Sequence, residues 1–93
     1  MQHIVVVYDI SNDKTRRIVG EILEGFGRRV NRSVFECKVK NKKTRDMLES
    51  ALKNELHKHD SLRIYTLCAN CRESSVVLGD EPDIFSQKGV IMF

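Results

Sequence analysis

Residues 4–8, IVVVY, are five consecutive apolar side chains that end on a carboxylate at Asp9. The run is too short for a buried helix and rich in β-branched residues, so residues 3–8 are expected to form a strand. Side chains alternate across a strand, and here both faces are apolar. Such a strand belongs in the middle of a sheet and is expected to be buried on both sides. The rest of the chain must then supply strands for its two edges and layers for its faces. The charge at its end has two readings: an aspartate that satisfies the backbone of a turn, or one placed for chemistry at the end of the sheet.

The following sequence supplies those elements in a definite order. Asn12 or Asp13 can cap a helix whose apolar residues Ile18, Val19, Ile22, Leu23 and Phe26 fall on one side, with Gly25 and Gly27 to stop it. Residues 28–32 are short and polar around Val30, which suits an edge strand or the start of a bent one. In 33–40, Ser33, Phe35, Cys37 and Val39 share one face, and Val34, Glu36, Lys38 and Lys40 share the other, as in a half-buried strand. Helical spacing returns over 42–58 through Met47, Leu48, Ala51, Leu52 and Leu56, and 62–67, LRIYTL, is again strand-like.

The order strand, helix, strand, strand, helix, strand closes most simply, under the right-handed crossover rule, as a ferredoxin-like βαββαβ sandwich. The fold class expected is therefore α+β, one sheet with both helices on one face. At 93 residues and 41% hydrophobic, the chain has material for one core. A single domain over 1–93 is expected, with its core at about 1–68 and a C-terminal extension over 69–93. That extension is turn-rich over 69–89, holds a short apolar run at 76–78, and ends in GVIMF. An apolar terminus of this kind is expected to add a strand to a sheet edge, its own or that of a second copy in a homodimer.

Charge and cysteine usage narrow the function classes. Residues 1–45 carry 11 Lys and Arg against 5 Asp and Glu, whereas 46–93 carry 5 against 8. Clustered cations in the first half suit a polyanion, because they release condensed counterions on binding a nucleic acid; a solvated basic surface has the same composition. No stretch approaches the roughly 20 apolar residues of a membrane span, and the start lacks a signal-peptide pattern, so a cytoplasmic protein with no membrane partner is expected. Three cysteines, Cys37, Cys68 and Cys71, do not make a paired disulfide framework. Cys68 and Cys71 form a CxxC, but neither Cys37 nor His3, His57 and His59 supplies the second spaced pair of a zinc site.

One combination is specific. Tyr8-Asp9-Ile10 with Asp13, then Arg16 and Arg17, then Gly27-Arg28-Arg29-Val30-Asn31, then Ser33-Val34-Phe35-Glu36, resembles the pattern of the CRISPR-associated Cas-two family, the small ferredoxin-like subunit of spacer acquisition. Motif residues cover 3–40, and a looser likeness runs on through the second helix to RIYTL. Two positions depart from the pattern: Asn31 stands where Gln is usual, and Ile18 where some members carry a further Arg.

The resemblance implies an endoribonuclease-type active site with Asp9 as the ligand of Mg²⁺ and Tyr8 beside it. It places Arg16, Arg17, Arg28, Arg29 and Arg32 on nucleic acid and Phe35 near the site. A homodimer would bring two Asp9 carboxylates to one cation at its two-fold axis. The implied partners are a second copy, an integrase subunit of the Cas-one type, and duplex DNA or RNA, in a prokaryotic cytoplasm. From the residues alone, each role has a plainer reading: Tyr8 half-buried at a strand end, Arg16 and Arg17 on a solvated helix face, and Phe35 in the core. Two functions therefore stand side by side: a metal-dependent endonuclease, and a non-catalytic adaptor that holds a duplex by its backbone.

Overall fold

In the computed structural model, which describes residues 1–68 together with Val76 and Leu78, the apolar run forms strand β1 (Gln2–Asp9). Helix α1 (Asp13–Glu24), strands β2 (Gly27–Asn31) and β3 (Val34–Val39), helix α2 (Lys42–Glu55) and strand β4 (Ser61–Leu67) follow. The sheet order is β2-β3-β1-β4, and β1 pairs antiparallel with both neighbours. Each helix thus crosses over a strand that lies between the two it connects. This is the split βαβ arrangement of a ferredoxin-like sandwich.

β1 is central as expected, and both helices cover the same one of its faces. Ile4 and Val6 are fully buried and Tyr8 nearly so, whereas Val5 and Val7 remain half-buried. Both helices bury side chains in the same core as Ile4, Val6, Phe35, Cys37 and Val39: Val19 and Leu23 from α1, Leu48 and Leu52 from α2. The opposite sheet face carries Val5, Val7, Val34, Tyr65 and Leu67, with Tyr65 49% exposed. An apolar strand thus marks a central position without both sides being closed by this chain's described elements.

Local signals explain where the helices begin and end. The Asn12 side chain accepts from the Thr15 amide at 3.0 Å, and Asn41 does the same for Thr44 at 2.8 Å, so each helix starts on an asparagine cap. α1 stops at Gly25, which keeps a right-handed backbone. Gly27 is required for space instead: a Cβ there would overlap the Glu36 carbonyl oxygen and lie 2.6 Å from the Cys37 Cα, so β2 could not approach β3.

α2 ends at Glu55, short of the expected 58. Asp60 accepts from the His57 amide at 2.8 Å and returns its own amide to the His57 carbonyl at 3.0 Å, a local turn that competes with further helix. Met47 is 64% exposed and not part of the buried stripe, because Leu48, one position on, faces the sheet. Thr15 is 5% exposed, a buried polar residue that apolar spacing does not reveal. Val76 and Leu78 are each 58% exposed; the remainder of the 69–93 extension, with Cys71 and the terminal GVIMF, lies outside the described residues.

Candidate functional site

β2 is an edge strand with an irregularity that shapes the site. Arg29 pairs with Phe35, and Asn31 with Val34, so the register shifts at Val30. A bulge bends an edge strand and re-aims its side chains. Before it, Arg28 lies opposite Glu36 on the uncovered sheet face, and Arg29 shares the helix-side face with Phe35. Beyond it, Asn31 accepts from the Arg32 amide at 2.7 Å, so the amide group that replaces the usual Gln is used inside its own turn.

The turn is then tied to β1, whose Tyr8 amide donates to the Ser33 carbonyl at 3.0 Å. Where β1, the first turns of α1 and the β2–β3 turn converge, a groove of about 600 Å³ opens. β1 and its exit give Tyr8, Asp9 and Ile10; α1 gives Asp13, Arg16 and Arg17; the end of β2 and its turn give Arg29, Arg32 and Ser33. The fold thus collects Asp9, Tyr8 and all the expected arginines except Arg28, which it places on the other side of the sheet.

The side chains are held to different degrees. Asp9 is exposed at the end of β1, opposite Ser61. Among the described residues its carboxylate takes no hydrogen bond or ion pair, so it does not close the turn that follows it. The Tyr8 ring is 4% exposed and stacks at 26° on Phe35, with centroids 6.3 Å apart. Phe35 itself is fully buried; removing its ring would cost about 3–5 kcal/mol of fold stability, which makes packing its primary role. Arg16 pairs with Asp13 one turn back on α1, and Arg17 lies 3.4 Å from Glu21 with both side chains more than half exposed. An ion pair that open to solvent is easily exchanged for another anion.

A resident cation needs more donors than one copy provides here. Among the described residues no three His, Cys, Asp or Glu side chains come together to cage a metal. Asp9 and Asp13 both line the groove, but Asp13 is occupied by Arg16. Mg²⁺ takes one or two carboxylates plus water and phosphate oxygens, so Asp9 is a chemically suitable but partial donor set. The two described cysteines differ in exposure. Cys37 is fully buried, with burial first and the neighbouring Glu36 charge second pushing its thiol up to about 11, while Cys68 is exposed.

Residues 1–75 match the family described as CRISPR associated protein Cas2. The chain belongs to the Cas2 family. It is 43% identical over 81 residues to the CRISPR-associated endoribonuclease Cas2 1 of Chloroflexus aurantiacus, which covers 84% of this chain and 85% of the relative. With the CRISPR-associated endoribonuclease Cas2 2 of Synechocystis sp. it shares 39% over 82 residues, 87% of each. Among solved structures, Streptococcus pyogenes Cas2 matches with a TM-score of 0.69 at 31% identity, over 83% of this chain and 99% of that one. A chain of a partial Cas6-RT-Cas1–Cas2 complex matches with 0.71 at 29%, over 81% and 88%.

Sequence reasoning passed over two residues that line this Cas2-family groove and one that lies behind it. Asp13 was visible in the motif, yet its use as the partner of Arg16 depends on helix geometry. Ser33 enters through its backbone, which leaves no side-chain signal. Gly20, buried on α1 behind Arg29, had a detectable one: glycine inside a helix costs about 1 kcal/mol against alanine, so it calls for a spatial reason.

Proposed function

We propose that this chain acts in CRISPR spacer acquisition as a homodimeric adaptor that holds a nucleic-acid backbone against an integrase subunit of the Cas-one type. The observation that carries the reading is the groove, where cationic side chains from α1 and the β2–β3 turn surround the exposed Asp9. Guanidinium groups suit phosphate oxygens through paired donors. Such contacts go to the backbone and carry no sequence information, so binding is expected to be indifferent to sequence. The solved relative in a Cas6-RT-Cas1–Cas2 complex supports the integrase partner.

A second reading, metal-dependent cleavage of RNA or DNA, is favoured by the unengaged Asp9 carboxylate and by relatives that carry the name endoribonuclease. In it Asp9 would hold Mg²⁺, with Asp9 of a second copy completing the donor set, and the cation would supply an activated water and charge neutralisation at the phosphate. The chain's own contribution is placement: Asp9 at the rigid end of a central strand and arginines on both sides of it. We assign the adaptor role to the cell and cleavage to the isolated dimer.

The comparison of Asp9→Asn with wild type separates the two. Asparagine keeps the size of the side chain and removes the charge that a hard cation needs. The integrase–DNA assembly is expected to form with either protein, while Mg²⁺-dependent cleavage drops by about 100-fold or more, the scale of a lost metal contribution. Unchanged cleavage removes Asp9 from the chemistry. Failure of the wild-type protein to form the assembly overturns the adaptor reading.

A further inference from the structure

The groove's cations differ in what already holds them, and Arg29 is the most committed. Its guanidinium carbon lies 4.9 Å from the centre of the Phe35 ring. Its Nη1 donates to the Arg32 carbonyl at 2.6 Å. Its Nη2 fills the space beside Gly20 on α1, where a Cβ would come within 2.7 Å of it. One planar group therefore ties helix, core ring and bulged turn together. Arg32, by contrast, is exposed, and its side chain has no protein partner among the described residues.

We propose that Arg29 is a positioning residue: seated between Gly20, the Phe35 ring and the Arg32 carbonyl, it fixes the β2–β3 turn so that Arg32 is aimed at a phosphodiester beside Asp9, and it makes no phosphate contact itself. The phosphodiester rests on the reading given under the proposed function. The connection to Asp9 runs through the turn: Arg29 holds the Arg32 carbonyl, and the next carbonyl, that of Ser33, takes the amide of Tyr8 immediately before Asp9. Lysine could not do this work, since it offers a point charge in place of a flat fork that can stack on a ring and donate in plane. Gly20 is the complement of Arg29: the bare helix backbone there leaves the guanidinium its seat.

The test uses full-chain Gly20→Ala, Arg29→Lys and Arg32→Ala, with amide exchange at Tyr8 and binding of a random-sequence DNA duplex across a salt series as readouts. Gly20→Ala keeps every charge and improves helix propensity, yet displaces Arg29 from its seat. It is expected to speed exchange at Tyr8 and weaken binding, each by about tenfold, with the salt slope unchanged, since no phosphate contact is deleted. Arg29→Lys, which adds no bulk to α1, is expected to do the same and serves if Gly20→Ala does not fold. Arg32→Ala is expected to lower the salt slope by about one and leave exchange at Tyr8 alone.

Wild-type exchange at Tyr8 in both Gly20→Ala and Arg29→Lys overturns the positioning role. So does full affinity in Arg29→Lys, which would mean that charge alone suffices. A wild-type protein that binds no duplex at any salt overturns the phosphate reading instead, while exchange at Tyr8 still decides the place of Arg29.

Discussion

At the scale of single residues, Cys37 gives the fold a measurable pH signature. Its Sγ donates to the Leu23 carbonyl at 3.9 Å in a fully buried position, and its pKa rises from 9.0 to about 11, through burial first and the Glu36 charge second. The native state keeps a proton that the unfolded chain releases. The stabilisation is therefore complete below about pH 9 and is lost as pH rises towards 11, by at most about 2–3 kcal/mol. Melting curves of wild type and Cys37→Ala between pH 8 and 11 check this: other titrations are common to both, so wild type should lose the greater Tm. Parallel losses would place Cys37 outside the linkage. Not every residue was this legible. Asp9 stood out because a charge ends an apolar run, but which face Arg28 and Arg29 each take follows only from the register of β2 on β3, and the seat of Arg29 depends on positions 20, 32 and 35, which local spacing cannot relate.

At the scale of elements, α1 presents Asp13, Arg16 and Arg17 from its first turns, so its start shapes the groove as well as the fold. Asn12 satisfies the Thr15 amide there, and Arg16 donates its amide to the Asn12 carbonyl at 2.9 Å. Asn12→Ala is expected to cost about 1 kcal/mol, a fall in Tm of about 4–8 °C for a domain of this size. DNA affinity should fall with it, because the fraying turn carries Arg16 and Arg17. Asn12→Asp should restore both the cap and the helix dipole interaction; a Tm that does not recover would show that the cap is not the cause. The elements themselves were readable in order and within a few residues of their ends, since periods of 2 and 3.6 alternate cleanly along 1–68. The bulge at Val30 and the early end of α2 were not, because each is set by hydrogen bonds between particular partners and not by periodicity.

At the scale of the whole molecule, the sheet face opposite the helices bears on assembly. Val5, Val7, Val34 and Leu67 are half-buried around Tyr65 on the face opposite the helices. Arg28, Glu36 and Arg63 share that face with them, a mixed surface that a second copy could cover, which would also bring a second Asp9 towards the first. Sedimentation of the full chain at micromolar concentration is expected to give the mass of two chains, and Tyr65→Glu, which puts a charge on that face at little cost to the monomer, to give the mass of one. A monomeric wild type would remove the shared-cation reading along with the dimer. IVVVY reads as covered on both sides; the helices cover one of them, and an apolar pattern alone does not tell what covers the other.

The empty space beside Gly20 also constrains how such a chain can change over generations. A Cβ at 20 meets only the flexible end of Arg29, so alanine there keeps its helical gain of about 1 kcal/mol while the arginine loses its seat. Once the arginine is lost, only the helical gain remains. The two positions are thus coupled, and a lineage that has filled the site at 20 has no seat to offer an arginine regained at 29.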